Sequence, residues 1–401
     1  MNDKENCPNC GEPLNNGACA NCSQLEASRV LHRDLLLLLG LSILALGLFL
    51  GTKALARTER GIESRDAQIW YDRGNVQTNS GNVAGAIDSY RQALANDRDN
   101  RIFALALADA LARGNHTEEA RETLLRLRDS DPEDPDINLA IARLEASTGH
   151  LADAVDFYQN ALYGHWKGKA IDERRRQVRV ELVQFLLGHH QSSRALSELL
   201  ILETDFPETA SAKWQLAKLF LAAGDTQKAL KYFDEGLRLE PRNADILAEA
   251  AETAFQAGDY SRARHYLEAS ASQGDRSEST RKLLSLTDNI LSLDPLQPRL
   301  SMKDRRARVL RGLDFALSRA ASCIENNPSD DQILQLKLLA KDAATRQHSL
   351  QLHHDLHDID DVRSDWELIN QIEDAANTAC GKASGPDLAV AFISRSHGIV
   401  R

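Results

Sequence analysis

Residues 67–100 read AQIWYDRGNVQTNSGNVAGAIDSYRQALANDRDN, and the small residue in the middle of this stretch, Ala86, returns at a fixed interval downstream. Ala86, Ala120, Ala154, Ala195, Ala229 and Ala263 are separated by 34, 34, 41, 34 and 34 residues. Five or six residues before each stands a Gly, or once a His: Gly81, Gly114, Gly149, His190, Gly224 and Gly258. Four residues after each stands a bulky side chain: Tyr90, Leu124, Tyr158, Leu199, Phe233 and Leu267. Acidic and proline turns such as Asp131-Pro132, Phe206-Pro207 and Glu240-Pro241 fall between the frames. A period of this size marks stacked supersecondary units, none of which can bury its apolar stripe alone. Each unit is expected to be two antiparallel helices. The glycine ends the first, the alanine lets the backbones approach, and the bulky residue fills the groove beside it.

Within Ala67 to Asn100, Trp70, Gly74, Gly81, Ala86, Tyr90 and Ala93 stand at positions 4, 8, 15, 20, 24 and 27. With these residues the unit resembles a tetratricopeptide repeat, and six such units cover 67–275. The resemblance implies an all-α solenoid of helix-turn-helix repeats, whose first helices line a concave groove that binds peptides through positions 2, 5, 9 and 12. The matching residues here are Tyr71 and Asn75, Leu139 and Arg143, Val180 and Gln184, Trp214 and Lys218, Ala248 and Glu252. Of these, Tyr71, Asn75, Arg143, Gln184, Trp214, Lys218 and Glu252 are taken as the partner-binding set. Chaperone-binding members of the family present a Lys, Asn and Arg clamp for a C-terminal carboxylate. The corresponding early-repeat positions here hold Tyr71, Leu105, Asp136 and Ala140, and only Asn75 fits, so capture of a chaperone tail is not expected.

The 401 residues carry 48 Lys and Arg against 59 Asp and Glu, a net charge of −11, which argues against general nucleic-acid binding because phosphate neutralisation needs a basic surface. The seven-residue excess that lengthens one interval to 41 lies in Tyr163 to Lys169. With Arg174, Arg175, Arg176 and Arg179 it makes the single local basic patch, either a solvated helix start or a contact for an acidic partner.

Residues 1–24 contain two Cys-x-x-Cys knuckles, Cys7 with Cys10 and Cys19 with Cys22. Four thiolates so spaced can hold a structural zinc ion, and a segment this short has no other core. The segment resembles the miniature zinc ribbons that open many bacterial membrane proteins; a disulfide knot and a redox pair are the competing readings. Residues 35–52 carry no charge. At about 1.5 Å per residue they cross a bilayer core of about 30 Å with little tilt, and so are expected to form one transmembrane helix. Ala54-Leu55-Ala56 resembles a signal-peptide cleavage site, but the 34 residues before the run, with a cysteine motif of their own, favour an uncleaved anchor. Residues 53–66 form a charged connector to the repeats. Arg29 and Arg33 before the span, against Lys53, Arg57, Arg60 and Arg65 after it, favour cytoplasmic repeats, whereas thiolate chemistry favours a cytoplasmic ribbon. The orientation taken is ribbon inside and repeats outside.

Beyond Asp275 the alanine period ends while apolar residues keep three-and-four spacing over 276–293, 302–325, 329–346, 362–380 and 386–395. This C-terminal region, 276–401, is expected to be helical and in part to cap the solenoid. No nucleophile elbow, phosphate-binding glycine loop or His-Glu-x-x-His helix occurs. One polar cluster, His353, His354, Asp355, His357, Asp358, Asp360 and Asp361, offers metal-type ligands but reads first as a solvated turn. The function expected is a non-enzymatic, membrane-anchored scaffold, single-pass in the cell membrane, that binds a protein or peptide. The alternatives are an enzyme with its site in 276–401, or a membrane sensor coupling the ribbon to the repeats. Cys323 and Cys380 stand apart from the N-terminal four and can pair if that region meets an oxidising compartment.

Overall fold

Helix starts in this chain are written in short polar side chains. Asn82, Asn100, Asp134, Thr209, Asp225, Asn243, Asp259 and Ser277 each accept a hydrogen bond from a backbone N–H of the helix that follows, and Pro135 occupies a first helical position. Each such cap stabilises its helix by about 1 kcal/mol and fixes where it begins. The computed structural model describes residues 6–14, 19–275, 277–326, 331–352, 356–383 and 385–399. Among them are seventeen α-helices and no strand; Asn6 and Pro13 form an isolated antiparallel bridge.

The chain divides into two compact units, Met1–Lys169 and Ala170–Arg401. The boundary falls at the end of the seven-residue excess, where the chain leaves helical conformation after Tyr163 and resumes it at Ile171. In the first unit α1 (Ala20–Asn79) pairs through its C-terminal turns with α2 (Val83–Asn96). Then α3 (Arg101–Arg113) pairs with α4 (Thr117–Ser130), and α5 (Pro135–Thr148) with α6 (Leu151–Tyr163). The apolar run, the charged connector and the first helix of the first repeat are therefore one continuous 60-residue helix. Residues Leu35–Lys53 have a mean hydropathy of 2.5 and none of them is buried.

The second unit holds three more pairs: α7 (Ile171–Gly188) with α8 (Ser192–Asp205), α9 (Ala210–Ala222) with α10 (Thr226–Leu239), and α11 (Ala244–Gln256) with α12 (Tyr260–Ser272). After them α13 (Glu278–Leu293) packs on α12. Three long helices, α14 (Met302–Asn326), α15 (Asp331–Leu352) and α16 (Ile359–Cys380), pack on one another, and α17 (Pro386–Ser396) returns against α13 and α16.

All six period alanines lie on the second helix of a pair and are fully buried, as are the six bulky residues four positions on. The residue five before each alanine adopts left-handed backbone in every repeat: Gly81, Asn115, Gly149, His190, Gly224 and Gly258, with φ between 57° and 90°. In the second repeat this corrects the glycine frame. Gly114 keeps φ −82° and donates its N–H to Ala110 O, while Asn115, a residue type that tolerates left-handed backbone, makes the turn. A second small series runs twelve residues before the first. Gly74, Ala108, Ala142, Val183, Ala217 and Ala251 are buried on the opposing first helices, so both faces are small at the crossing in every pair but the fourth, where Val183 stands.

The C-terminal bundle closes by the same logic. A Cβ on Gly312 would lie 2.7 Å from the Trp366 ring, so α14 and α16 touch only because that position is glycine. Arg346 grips Asp365 at 2.7 and 3.1 Å, and Arg319 pairs with buried Glu373. Cys323 and Cys380 are disulfide-bonded with their Cα atoms 5.8 Å apart, joining the ends of α14 and α16.

Candidate partner groove and cysteine cluster

The cysteine cluster forms where a tight turn meets a helix start. Gly11, with φ 80°, donates to Cys7 O at 2.9 Å, and Cys7 N–H donates to Glu12 O at 2.8 Å, which folds the first knuckle back on itself. Cys19 is the N-cap of α1 and Cys22 lies in its first turn. The four sulfurs lie within 4.8 Å of one another, with Cys7 to Cys22 at 3.8 Å, Cys10 to Cys22 at 3.5 Å and Cys10 to Cys19 at 3.3 Å. A tetrahedral ion with bonds of about 2.3 Å holds its sulfurs about 3.8 Å apart, so the donor set fits zinc in kind and in spacing. The backbone N–H groups of Asn9 and Cys10 bring the Cys7 thiol down to about 7. Contacts with the sulfurs of Cys10, Cys7 and Cys19 push Cys22 up to about 12. Four thiols this close cannot all ionise without a cation among them.

The groove positions fall in both units. In the first, Tyr71 is half-buried and stacks on Phe103 with ring centroids 4.8 Å apart. Asn75, also half-buried, accepts a hydrogen bond from Tyr90 Oη at 2.8 Å, and Arg143 is exposed. In the second, Gln184, Lys218 and Glu252 are exposed and Trp214 is half-buried. Trp214 Nε1 donates to Glu249 Oε2 on α11 at 2.8 Å, and Lys218 Nζ lies 4.2 Å from the centre of the indole ring. The ring edge is therefore tied to the next repeat while a cation rests on it. Glu252 accepts from Gln256 Nε2 at 3.1 Å.

Two arginines of the basic patch, Arg176 and Arg179, are engaged within the second unit. Arg179 is buried with its guanidinium 3.4 Å from Glu198 and 3.9 Å from Asp205, and Arg176 pairs with Glu173 and donates to Asp205 O at 2.7 Å. Of the polar cluster, His353, His354 and Asp355 lie outside the described residues. Asp358 caps α16 by accepting from the N–H groups of Asp360 and Asp361, and Asp361 accepts from His357 N–H at 2.8 Å. Sequence reasoning missed a cleft of about 1030 Å³ in the second unit between α11, α13 and α17, because its third wall comes from a helix far along the chain.

Comparison with known proteins places the class. Two models described as tetratricopeptide repeat match the chain, one over residues 79–144 and 220–285, the other over 52–101 and 182–244. The chain carries tetratricopeptide repeats. Among curated proteins, the type IV pilus assembly protein PilF of Pseudomonas aeruginosa is 27% identical over 176 residues, 43% of this chain and 66% of PilF. The match thus spans just under two thirds of that relative's length. Among solved structures, PilW, a type IV pilus biogenesis factor, is 19% identical over 54% of this chain and 98% of its own, with a TM-score of 0.39. YrrB, a tetratricopeptide repeat protein with an unusual peptide-binding site, is 17% identical over 49% of this chain and 96% of its own, with a TM-score of 0.33.

Proposed function

We propose that the protein is a non-enzymatic scaffold, anchored in the cell membrane by a single span, whose repeats hold a protein or peptide partner. The observation that carries this reading is the continuity of α1. An apolar stretch with no buried residue runs without a break into the first helix of a repeat array, so whatever the array binds is held beside a bilayer. Partner binding is assigned to Tyr71, Asn75 and Arg143 in the first unit and to Gln184, Trp214, Lys218 and Glu252 in the second. The likeness to PilF supports a role in the assembly of an envelope structure. A structural zinc ion is held by Cys7, Cys10, Cys19 and Cys22 and keeps the N-terminal ribbon folded.

The ribbon is assigned to the cytoplasm and the repeats to the outside. Four free cysteines precede the span and a bonded pair follows it, which matches a reducing compartment on one side and an oxidising one on the other. Flanking charge counts the other way, but long domains cross largely regardless of such a bias. Purification of the tagged full chain from detergent-solubilised membranes, with Trp214→Ala as the control, tests the scaffold. A stoichiometric partner retained by the intact chain and lost from the variant is expected. A chain that elutes alone, or from carbonate-washed membranes as a soluble fragment lacking the span, overturns the reading.

A further inference from the structure

The outer face of α1 carries an aliphatic stripe that the repeats do not cover. Leu41, Leu48, Leu55, Ile62, Ile69 and Val76 recur every seven residues, from inside the apolar span to the last turn of α1. Between residues 55 and 79 no other seven-residue register of the helix is aliphatic throughout. Ile69 and Val76 are 64% and 68% exposed, more than any other large aliphatic side chain of the repeats among the described residues. At about 100° per residue, Tyr71, Gly74 and Thr78, which meet Tyr90 of α2, lie about 140° to 200° around α1 from Ile69. The stripe therefore faces away from the array. An end repeat ordinarily turns a polar face outward, and this one is aliphatic. A strict seven-residue period is the seam of a left-handed supercoil between helices rather than the face of a lone helix.

The charges beside the stripe identify the helix that fits it. Arg65 and Asp72 lie about 40° to 60° to one side of Ile69, and Asp66 and Arg73 about as far to the other. All four are exposed, and among the described residues their contacts stay within α1, Asp72 with Gln68 and Arg73 with the Trp70 ring. In two parallel helices joined through the stripe, each flank meets the opposite flank of the other helix at nearly the same height. Asp72 then stands beside Arg73 of a second copy, and Arg65 beside its Asp66, on both sides of the seam. A shift of seven residues would instead set Asp72 against Asp66 and Arg73 against Arg65. The span holds every copy at one height and in one direction, so the matched register is the one that two copies meet in.

We propose that the protein forms a parallel homodimer through α1, a coiled coil in which Ile69 and Val76 of two copies meet and Arg65, Asp66, Asp72 and Arg73 pair across the seam. The dimer rests on the single-span reading above, because a shared bilayer is what aligns the copies. The test combines cross-linking and charge exchange on the full chain. In native membranes, copper phenanthroline joins copies of Ile69→Cys and of Val76→Cys at several times the level of the parent chain and of Ser64→Cys, whose exposed position lies about 140° around the helix. The parent chain in detergent has the mass of a dimer, and an Ile69→Glu, Val76→Glu double variant that of a single chain, with its melting temperature within a few degrees of the parent because both positions are exposed.

Asp72→Arg alone and Arg73→Asp alone each weaken the dimer about tenfold, since either sets like charges against each other on both sides of the seam. Co-expressed with different tags, the two variants purify together as a mixed dimer of parental stability, because opposite charges face each other again. A membrane-bound parent chain of single mass, equal cross-linking by Ser64→Cys, a cross-link from position 69 to a different protein, or no recovery in the mixed pair overturns the dimer and leaves the anchor standing. Release of the parent chain from membranes by a carbonate wash overturns the anchor and, with it, the dimer.

Discussion

Gly74 lies beneath the ring of Tyr90: a Cβ at position 74 would come within 2.4 Å of Tyr90 Cε1. The contact brings α1 against α2, and the phenol then reaches Asn75 Oδ1 at 2.8 Å and Thr78 Oγ1 at 3.1 Å. Gly74→Ala gains up to about 1 kcal/mol of helix propensity but must displace a buried ring, at about 1–3 kcal/mol. A lower melting temperature is expected. Tyr90→Leu should relieve it, because the second repeat combines Ala108 with Leu124 at the same two positions. An unchanged Gly74→Ala melt would mean that the two helices separate without cost.

The repeat core was legible because its signal is local and recurs six times. The small residue, the left-handed turn five before it and the bulky residue four after it are enforced anew in each unit, so the period survives even where His190 or Asn115 replaces glycine. The C-terminal helices were legible for a similar reason, and their expected spans lie close to α13 through α17. What escaped was long range. The start of α16 at Ile359 depends on the Asp358 cap, which looks in sequence like one more member of a polar cluster. The return of α17 depends on contacts such as His397 with Asp294, 103 residues apart, and no periodicity encodes those. The proposed groove is a reading of repeat positions alone; that Asn75 is engaged by Tyr90, and Trp214 by Glu249, is a matter of packing that no position encodes.

The cysteine cluster predicts one equivalent of zinc per chain. Cys10→Ser removes a sulfur that lies 3.3 Å from Cys19 and 3.5 Å from Cys22, and the purified variant should lose most of its metal by mass spectrometry. Structural zinc sites close with four ligands, and three cannot satisfy the tetrahedron. Retention of a full equivalent by the variant would remove the assignment.

The Cys323–Cys380 bridge spans 57 residues of sequence, and loop closure of that size is worth about 4 kcal/mol in the chain-entropy model. Alkylation of the unreduced protein should leave both sulfurs unlabelled, and Cys323→Ser should lower the melting temperature. A reporter fused after Arg401 should be active outside the cytoplasm. Labelling of both thiols without reductant, or a reporter active only inside, would reverse the orientation proposed above.

Asp275 anchors the start of α13. Its carboxylate accepts from Thr280 Oγ1 at 2.7 Å, Ser277 N–H at 2.9 Å and Ser270 Oγ at 3.1 Å, and these bonds, that of Thr280 foremost, hold its pKa down to about 2. A folded-state pKa below the ordinary value of about 3.9 means that the contribution is present above that value and is lost as pH falls through about 2. Asp275→Asn should therefore melt below the parent chain at neutral pH, with the gap narrowing between about pH 4 and pH 2. A gap independent of pH would show that the charge is not what stabilises the turn.

Substitution of Trp214 tests the proposed partner groove. The ring is half-buried, its edge held by Glu249 and its face under Lys218, so it is neither a core residue nor a bare anchor. The proposed anchor role rests on an indole left half in water beside an exposed cation, since aromatic side chains dominate interface energetics once desolvated. Removing it forfeits partial burial and one hydrogen bond, about 1 kcal/mol of stability, whereas loss of an interface anchor costs about 2 kcal/mol or more of affinity. Trp214→Phe separates the two, because it keeps the apolar surface and removes the donor to Glu249. If the groove binds a partner through the ring, Trp214→Phe should retain most of the affinity and Trp214→Ala should lose it, with melting temperatures within a few degrees of the parent. If the ring only joins α9 to α11, Trp214→Ala should lower the melting temperature sharply while folded protein still binds normally. That second outcome would move partner binding away from Trp214 and Lys218.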